Sequence, residues 1–401
     1  MALTIWMVVS IFYAYQYILR VMPNIMLDDI MQQFQFTAAT FGQFSGIYYI
    51  GYSLMHLPMG IFLDRYGPKK VMTASILLTV VGLIPLIFAD YWVYPIIGRL
   101  LIGIGSSAAI LGVFKVVRMS FSEQHFARML SFSVTIGVLG AIYGGSPVSY
   151  MRDTLGYQTV VEIFALAGIV LAVATYLIIP EIKAQAETTV FSGIAEVLGN
   201  SRVVLTCFFA GLMVGPMEGF ADVWGTAFLK HAYHYDATLA TSLLSLIYIG
   251  MCFGGPILSL VAEKIGSSLI AIVMAGIGMT VGFVCLLAWP ISPGAVSINF
   301  VVVGVCCAYQ ILAIYQASKY VREEVAGLTT ALANMIIMIF GYAFHTAIGS
   351  VVNAMGGPSA PEALTYGVAV IPVALFAGSI GFTCLLISEK RAVQQQQAVI
   401  Y

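Results

Sequence analysis

Apolar residues in this chain come in long blocks, not in the alternating or three-to-four spacing of elements with one wet face. Twelve blocks stand out: 3–27, 40–62, 71–89, 93–117, 128–150, 158–180, 203–229, 239–261, 268–289, 296–318, 327–352 and 366–388. A helix needs about 20 apolar residues to cross the hydrocarbon core of a bilayer. Inside lipid a segment must satisfy its own backbone hydrogen bonds, so each block predicts an α-helix. The breaks carry charge and turn residues, such as Asp28-Asp29 and Gly356-Gly357-Pro358. The first block lacks a basic leader and a small-residue cleavage site, so it is expected to be the first spanning helix rather than a cleaved signal.

Composition agrees with the pattern. The 401 residues are 60% hydrophobic and 9% charged, with mean hydropathy +0.97. A soluble domain carries about 25% charged residues. The net charge of -1 gives no reason to expect a nucleic-acid partner. Cys207, Cys252, Cys285 and Cys384 lie singly in apolar blocks, and Cys306 is adjacent to Cys307. None has metal-ligand spacing, and they read as small apolar side chains. There is no glycine-rich phosphate loop, no Ser-His-Asp arrangement and no metal cluster. The expectation is a protein that is not an enzyme and uses no cofactor.

The longest polar stretch, Glu181 to Arg202, divides the chain nearly in half. This predicts six helices in 1–180, a linker in 181–202, six helices in 203–388 and a tail in 389–401. Within the linker, Val190 to Leu198 predicts a short interfacial helix. The tail, with Gln394 to Gln397, reads as disordered. If the N-terminus is inside, 13 of the 17 basic residues fall on the cytoplasmic side and only Arg20, Arg99, Arg152 and Lys230 fall elsewhere. Basic residues concentrate inside, so both ends are expected in the cytoplasm of a cell with this protein in its inner membrane. The halves also repeat. A shift of 199 residues lays Tyr49-Ile50-Gly51 on Tyr248-Ile249-Gly250, and Asp64-Arg65-Tyr66-Gly67 on Glu263-Lys264-Ile265-Gly266. Such duplication predicts two related bundles around a central site.

Between the second and third blocks lies Gly60-Ile61-Phe62-Leu63-Asp64-Arg65-Tyr66-Gly67-Pro68-Lys69-Lys70. Gly60 is expected to allow close helix packing, and Gly67 a left-handed turn. Asp64 is placed to meet the positive end of a neighbouring helix. Arg65, Lys69 and Lys70 are placed to hold the loop to anionic lipids. The string resembles the signature of the major facilitator superfamily: glycine, three residues, aspartate-arginine, one residue, glycine, then basic residues. The resemblance implies an all-α membrane protein of 12 transmembrane helices in two pseudo-symmetric six-helix bundles. It implies a secondary transporter working by alternating access, driven by protons or solute exchange. In that family the loop latches the bundles on the cytoplasmic side, a gating role that the resemblance gives to Asp64 and Arg65, with an echo at Glu263 and Lys264.

Two further strings bear on the branch. Arg99-Leu100-Leu101-Ile102-Gly103-Ile104-Gly105 is similar to a family string tied to proton coupling, with Ile102 where glutamine is frequent. Tyr15-Gln16-Tyr17-Ile18-Leu19-Arg20-Val21-Met22-Pro23 looks like helix one of bacterial permeases grouped with nitrate porters or phagosomal amino-acid transporters; Gln16 stands where glutamate is expected. Helices two and eight lack the arginines of nitrate porters. Helix seven has Glu218 where organophosphate antiporters have arginine. Helix five holds Gly137, Gly140, Gly144, Gly145 and Pro147, which partly resembles the motif of drug/proton antiporters and also fits close packing with a kink.

Charged residues inside a membrane are costly and usually face a partner or a cavity. Arg20 lies in the outer half of the first helix, with snorkelling to the interface as its plainer reading. Glu218 and Asp222 share a face of the seventh helix at i and i+4. Asp222 lies nearer the outside and reads as wetted. The repeat lays Arg20 on position 219, beside Glu218. Two readings remain open. In one, Arg20 binds a substrate carboxylate while Glu218, with Asp222, binds a cationic group or the coupling proton. In the other, Arg20 and Glu218 form a salt bridge that only closes the outer side. Arg99 is a candidate for proton coupling, a second anion site or a pair for Glu162. His56 and His345 are candidates for titration or for hydrogen-bonded packing. Tyr48, Tyr49, Tyr52, Tyr248, Gln310, Tyr315 and Asn334 are candidates to line a polar cavity.

The expected function is proton-coupled uptake, as a symporter, of an amino acid, short peptide or organic acid. Efflux of drugs or a secreted metabolite such as a siderophore is the alternative, and a non-transporting receptor or scaffold is a third. The expected partners are a small-molecule substrate, protons and membrane lipids, with the chain acting as a monomer.

Overall fold

The computed structural model describes residues 2–181, 190–288, 291–360 and 362–400. Eleven of its helices are long and apolar enough to span a membrane. One of them, Ala38–Phe88, is 51 residues long and breaks at Gly67, where φ is +78° and ψ 160°. That region is open essentially to glycine alone, so the 51 residues make two spans and the total is twelve. In order they are α1 (Ala2–Ile25), α2 (38–66), α3 (68–88), α4 (Val93–Ser120), α5 (Arg128–Leu155), α6 (Tyr157–Ile178), α7 (Ser201–Ala232), α8 (Ala237–Ile265), α9 (Ser268–Ala288), α10 (Pro293–Ser318), α11 (Ala326–Ala354) and α12 (Ala363–Arg391). With an even number of spans both chain ends share one face, called here the terminal face; the opposite face is the distal one.

Three spans are interrupted. α5 breaks at Gly144-Gly145 and resumes at Ser146. α7 contains a π-helical turn, Phe220–Trp224. α10 breaks at Ala308. A π turn inserts a residue into the helical ladder and often marks a functional position. Here it carries Asp222.

The repeat seen in the sequence is reproduced in packing. Gly51 of α2 lies against the Leu100 carbonyl and Ile104 of α4, and Gly250 of α8 lies against the Val301 carbonyl and Gly304 of α10. Missing side chains let these helix pairs approach by backbone contact. The turn glycines match as well. Gly266 caps α8 with φ +72°, as Gly67 ends α2 with φ +78°.

A short helix, Leu27–Phe34, follows α1 and buries Leu27, Ile30 and Phe34. A second, Val190–Gly199, answers the linker helix expected over 190–198. It is tied to the second half of the chain: Glu196 pairs with Arg322 at 2.5 Å. Asn200 caps α7 and donates to the Tyr320 carbonyl at 2.7 Å. The tail expected to be disordered instead continues the last helix to Ile400. Propagating an existing helix is far easier than nucleating one, and Gln and Ala propagate well.

Among the described residues, the hydrogen bonds and ion pairs joining the two halves of the chain lie at mid-depth or toward the distal face. Ser146 meets Thr241 and Ser242 at 3.0 and 2.9 Å, and Lys230 meets Asp28 at 3.3 Å. α2 packs on α11 through Gly42 and Gly46, which lie against the backbone of His345 and Tyr342. The structure is therefore a distal-closed form.

Candidate functional site

Arg20 sits one turn before the end of α1, three residues ahead of Pro23. Proline has no N–H to offer the carbonyl four residues back, which is that of Leu19, and its ring pushes the helix off axis there. Arg99 of α4 fills the gap. Its Nη1 donates to the Leu19 carbonyl at 2.5 Å and its Nη2 to the Arg20 carbonyl at 2.7 Å, while its guanidinium lies over the Tyr48 ring at 4.8 Å. Arg99 therefore holds the bent end of α1 and meets no carboxylate in these contacts. Glu162, offered as its pair, is exposed. Arg99, expected to couple protons or to bind an anion, is bound here to two backbone carbonyls, and Pro23 leaves that of Leu19 without its helical N–H.

The bend presents Arg20 to α7. Arg20 is buried, with 8% exposure, so it does not snorkel to the interface. Its Nε pairs with Asp222 Oδ2 at 2.6 Å and its Nη2 with Glu218 Oε2. Asp222, expected to be wetted, is the more deeply buried acid, at 1% exposure against 8% for Glu218. The π turn that carries it is closed in by Phe220, Val223 and Trp224, all buried.

Two tyrosines complete the cluster. Tyr49 of α2 donates to Glu218 Oε2 at 2.9 Å and also approaches Asp222 Oδ2. Tyr248 of α8 donates to Asp222 Oδ1 at 2.5 Å. A phenol carries one proton, so Tyr49 divides one donor between two acids. Arg20 lies over the rings of Tyr17 and Tyr49 at 5.1 and 5.3 Å. Nearby, Tyr48 donates to Gln16 Oε1 at 2.7 Å, and Asn24 donates to the Ala221 carbonyl at 3.4 Å. Four spans thus converge: α1 and α2 from the first half, α7 and α8 from the second.

Not every expected residue joins them. Tyr52 stacks on Tyr48 at 6.0 Å and meets His56 at 5.3 Å, extending the cluster along α2. Gln310 donates to Asn334 at 3.3 Å, so these two pair with each other rather than with the acids. Tyr315 is 53% exposed beneath Lys319 and belongs to the surface, not to a cavity around Arg20. His345 is buried beside the Tyr49 ring, with Nδ1 on the Gly341 carbonyl at 2.7 Å. Tyr17 was not foreseen. Its signal was its place three residues before Arg20, on one helical face. The distal contacts of Asp28 and Ser146 also had no sequence signal, since their partners lie 202 and 95–96 residues away.

The charged turn after α2 holds a different arrangement from the one expected. Gly60 has open space beside it rather than a packed helix, because it lies on the outward side of α2, while Met59 and Leu63 on either side of it are buried. Asp64 pairs with Lys115 at 2.7 Å, near the C-terminal end of α4, and not with a helix N-terminus. A full cation in reach outweighs the partial charge of a helix end. Arg65 lies over Tyr66 at 5.5 Å, Lys69 over Tyr176 at 4.5 Å, and Lys70 pairs with Glu181 at 2.5 Å. The hydrogen bond from Lys70 lowers the Glu181 carboxyl below its ordinary pKa. These contacts stay within residues 64–181. Glu263 and Lys264 are exposed, with Glu263 and Gly266 lining a cleft of about 640 Å³ on the terminal face.

Twelve apolar spans close around a buried ionic cluster in a multi-pass membrane protein, and its family makes it a transporter rather than an enzyme. The chain belongs to the Major Facilitator Superfamily, whose sequence profile matches residues 7–345. No curated protein sequence matches the chain significantly. Solved structures do. The nucleoside transporter NupG aligns with TM-score 0.77 at 15% identity, over 95% of this chain and 99% of that one. A bacterial homologue of the human lysosomal transporter Spinster, inward-facing and unoccupied, aligns with TM-score 0.71 at 14% identity, over 96% and 95%. A D-xylose-proton symporter aligns with TM-score 0.71 at 12% identity, over 93% and 96%. At these identities the likeness carries the fold alone.

Proposed function

We propose that this transporter moves a small organic solute bearing a carboxylate, coupled to a proton, with Arg20 as the anion site and Glu218 and Asp222 as the proton carriers. The observation that carries this reading is the division of one guanidinium edge. Nε and Nη2 form the edge of arginine that a single carboxylate takes in a bidentate pair. Here that edge is split between two acids. A solute carboxylate makes both bonds at once and sets both acids free. The cluster then holds two buried negative charges without their cation, and one proton offsets half of that. Loss of the acids from Arg20 also releases a contact between the halves, which ties solute binding to the opening of the distal side.

In this reading the distal-closed form presents the site toward the terminal face, which we take as cytoplasmic, with both chain ends on the cytoplasmic side of the inner membrane. We take residues 1–180 and 203–388 as the two moving bundles, joined by 181–202 and followed by the tail 389–401, in a monomer bathed by lipid. Gating falls to Asp64, Arg65 and Gly67, with Glu263 and Lys264. In this form Asp64 and Lys115 pair within the first bundle, as a released latch would. Tyr49 and Tyr248 are the substrate-side donors, Tyr52 a wall; Gln310 and Asn334 lie on the second bundle's side.

The test is thermal stabilisation of the purified chain by amino acids, dipeptides, organic acids and lipophilic drugs. Stabilisation by one carboxylate class, lost in Arg20→Ala, followed by flux in proteoliposomes that an inward proton gradient drives, supports the reading. Stabilisation by lipophilic cations and not by carboxylates overturns it in favour of efflux.

A further inference from the structure

Two aromatic ladders lead away from Arg20. On α1, Tyr17 lies one turn before Arg20 and meets Tyr13 edge-on at 5.2 Å, a further turn toward the terminal face. On α2, Tyr48, Tyr52 and His56 follow at i, i+4 and i+8, with ring centroids 6.0 and 5.3 Å apart, also toward the terminal face. The ladders meet at Arg20, whose guanidinium lies over Tyr17 on one side and over Tyr49 on the other, and the Tyr49 ring meets Tyr48 at 5.3 Å. Tyr17 and Tyr52 are half-buried, so part of each ring stays uncovered. The other rings at this level are committed. Tyr48 is bound to Gln16, Tyr49 to the acids and Tyr248 to Asp222.

This inference rests on the reading of Arg20 as a carboxylate site. A carboxylate that takes Nε and Nη2 together lies in the guanidinium plane. With the distal side closed, the body of the solute lies toward the terminal face, where Tyr17, over whose ring the guanidinium already lies, and Tyr52 are half-buried rings. A saturated body meets those faces with hydrogens at every angle. A flat ring joined directly to the carboxyl group keeps the guanidinium plane and offers faces and edges that tyrosines match. We infer that the solute is a carboxylate whose carboxyl group is joined directly to a planar unsaturated ring, of the benzoate kind, and that Tyr17 and Tyr52 select for the ring. No bond is made or broken; selection is by stacking alone.

Benzoate and cyclohexanecarboxylate share a carbon skeleton and a charge, and differ in flatness and π-electrons. The experiment compares them, with acetate, as stabilisers of the purified full chain in thermal unfolding. Half-maximal stabilisation by benzoate is expected at about tenfold lower concentration than by cyclohexanecarboxylate, the scale of a good aromatic contact. Tyr17→Leu is expected to erase that ratio while both compounds still bind, and Tyr17→Phe to keep it. Equal half-points for the two compounds in the wild type overturn the ring inference and leave the carboxylate reading standing. Stabilisation by none of the three compounds overturns the ring inference, and the carboxylate reading falls with it only if the amino acids, dipeptides and other organic acids also fail to stabilise. A ratio unchanged in both Tyr17→Leu and Tyr52→Leu overturns the assignment of the selecting residues.

Discussion

The hydroxyls of Tyr49 and Tyr248 converge on one carboxylate: Tyr49 approaches Asp222 Oδ2, and Tyr248 donates to Asp222 Oδ1 at 2.5 Å. The two tyrosines are 199 residues apart and occupy the same place in the repeated halves. The pseudo-symmetry thus delivers equivalent donors from α2 and α8 to an acid that has no counterpart in the first half. One donor crosses between halves and the other does not. Tyr248→Phe removes a bond to a buried charge, worth about 1.5–3 kcal/mol. It is expected to lower the thermal midpoint of the purified protein. Tyr49→Phe is expected also to favour the distal-open form, since it removes a bond between the halves. A Tyr248→Phe protein as stable as the wild type would count against the described cluster.

Removing Arg20 leaves two carboxylates buried together. Breaking a buried pair in this way costs about 3–5 kcal/mol. Arg20→Ala is expected to destabilise the distal-closed form by that order and to abolish solute-dependent stabilisation. Arg20→Lys is expected to recover little binding, because an ammonium cannot span two acceptors along one planar edge. Recovery of full binding in Arg20→Lys would sink the bidentate argument.

Arg99 and Glu218 are expected to separate. Arg99→Ala strands the Leu19 carbonyl, at about 1–3 kcal/mol for a buried acceptor left unmet. The dependence of the remaining flux on the proton gradient is expected to stay as in the wild type. Glu218→Gln is expected to fold, to exchange solute across the membrane and to lose proton-driven accumulation. Loss of gradient dependence in Arg99→Ala, with Glu218→Gln still coupled, would reverse the roles.

The distal closure depends on glycine. A side chain at Gly42 would run into the His345 carbonyl of α11. Gly42→Val is therefore expected to shift the population toward the distal-open form. A cysteine placed at Ser146, which bonds to Thr241 and Ser242 in the closed form, is expected to react faster with a membrane-impermeant thiol reagent in that variant. An unchanged rate would mean that this seam is not part of the gate.

The linker helix is expected to respond to acid. Arg322, bonded to both carboxylate oxygens of Glu196, holds that carboxyl below its ordinary pKa. A depressed carboxyl contributes stability above its unfolded pKa and loses it as pH falls through the folded value. Amide exchange in residues 193–199 is thus expected to quicken as pH falls through that window, after correction for the intrinsic rate. It is also expected to quicken at neutral pH in Glu196→Gln. Arg322 is exposed and Glu196 partly so, and the effect is therefore small and weakens with salt.

Much of this was legible in the residues themselves. Span length and apolarity determine that the chain crosses a bilayer and folds as helices, because lipid offers the backbone no partner. The doubled charged turn determined the family and the repeat. A glycine with no steric alternative determined the break at Gly67. Tertiary structure decided the rest, for reasons of direction and competition that spacing does not encode. The sequence placed Arg20 beside Glu218 by symmetry, but the π turn brought Asp222 to it as well. Arg99 went to the Pro23 bend, since the freed Leu19 carbonyl in an apolar interior must be met. A lysine on a neighbouring helix, not a helix end, claimed Asp64. Which of several acids and bases finds which partner depends on where side chains 80 to 200 residues apart come to rest, and only packing determines that.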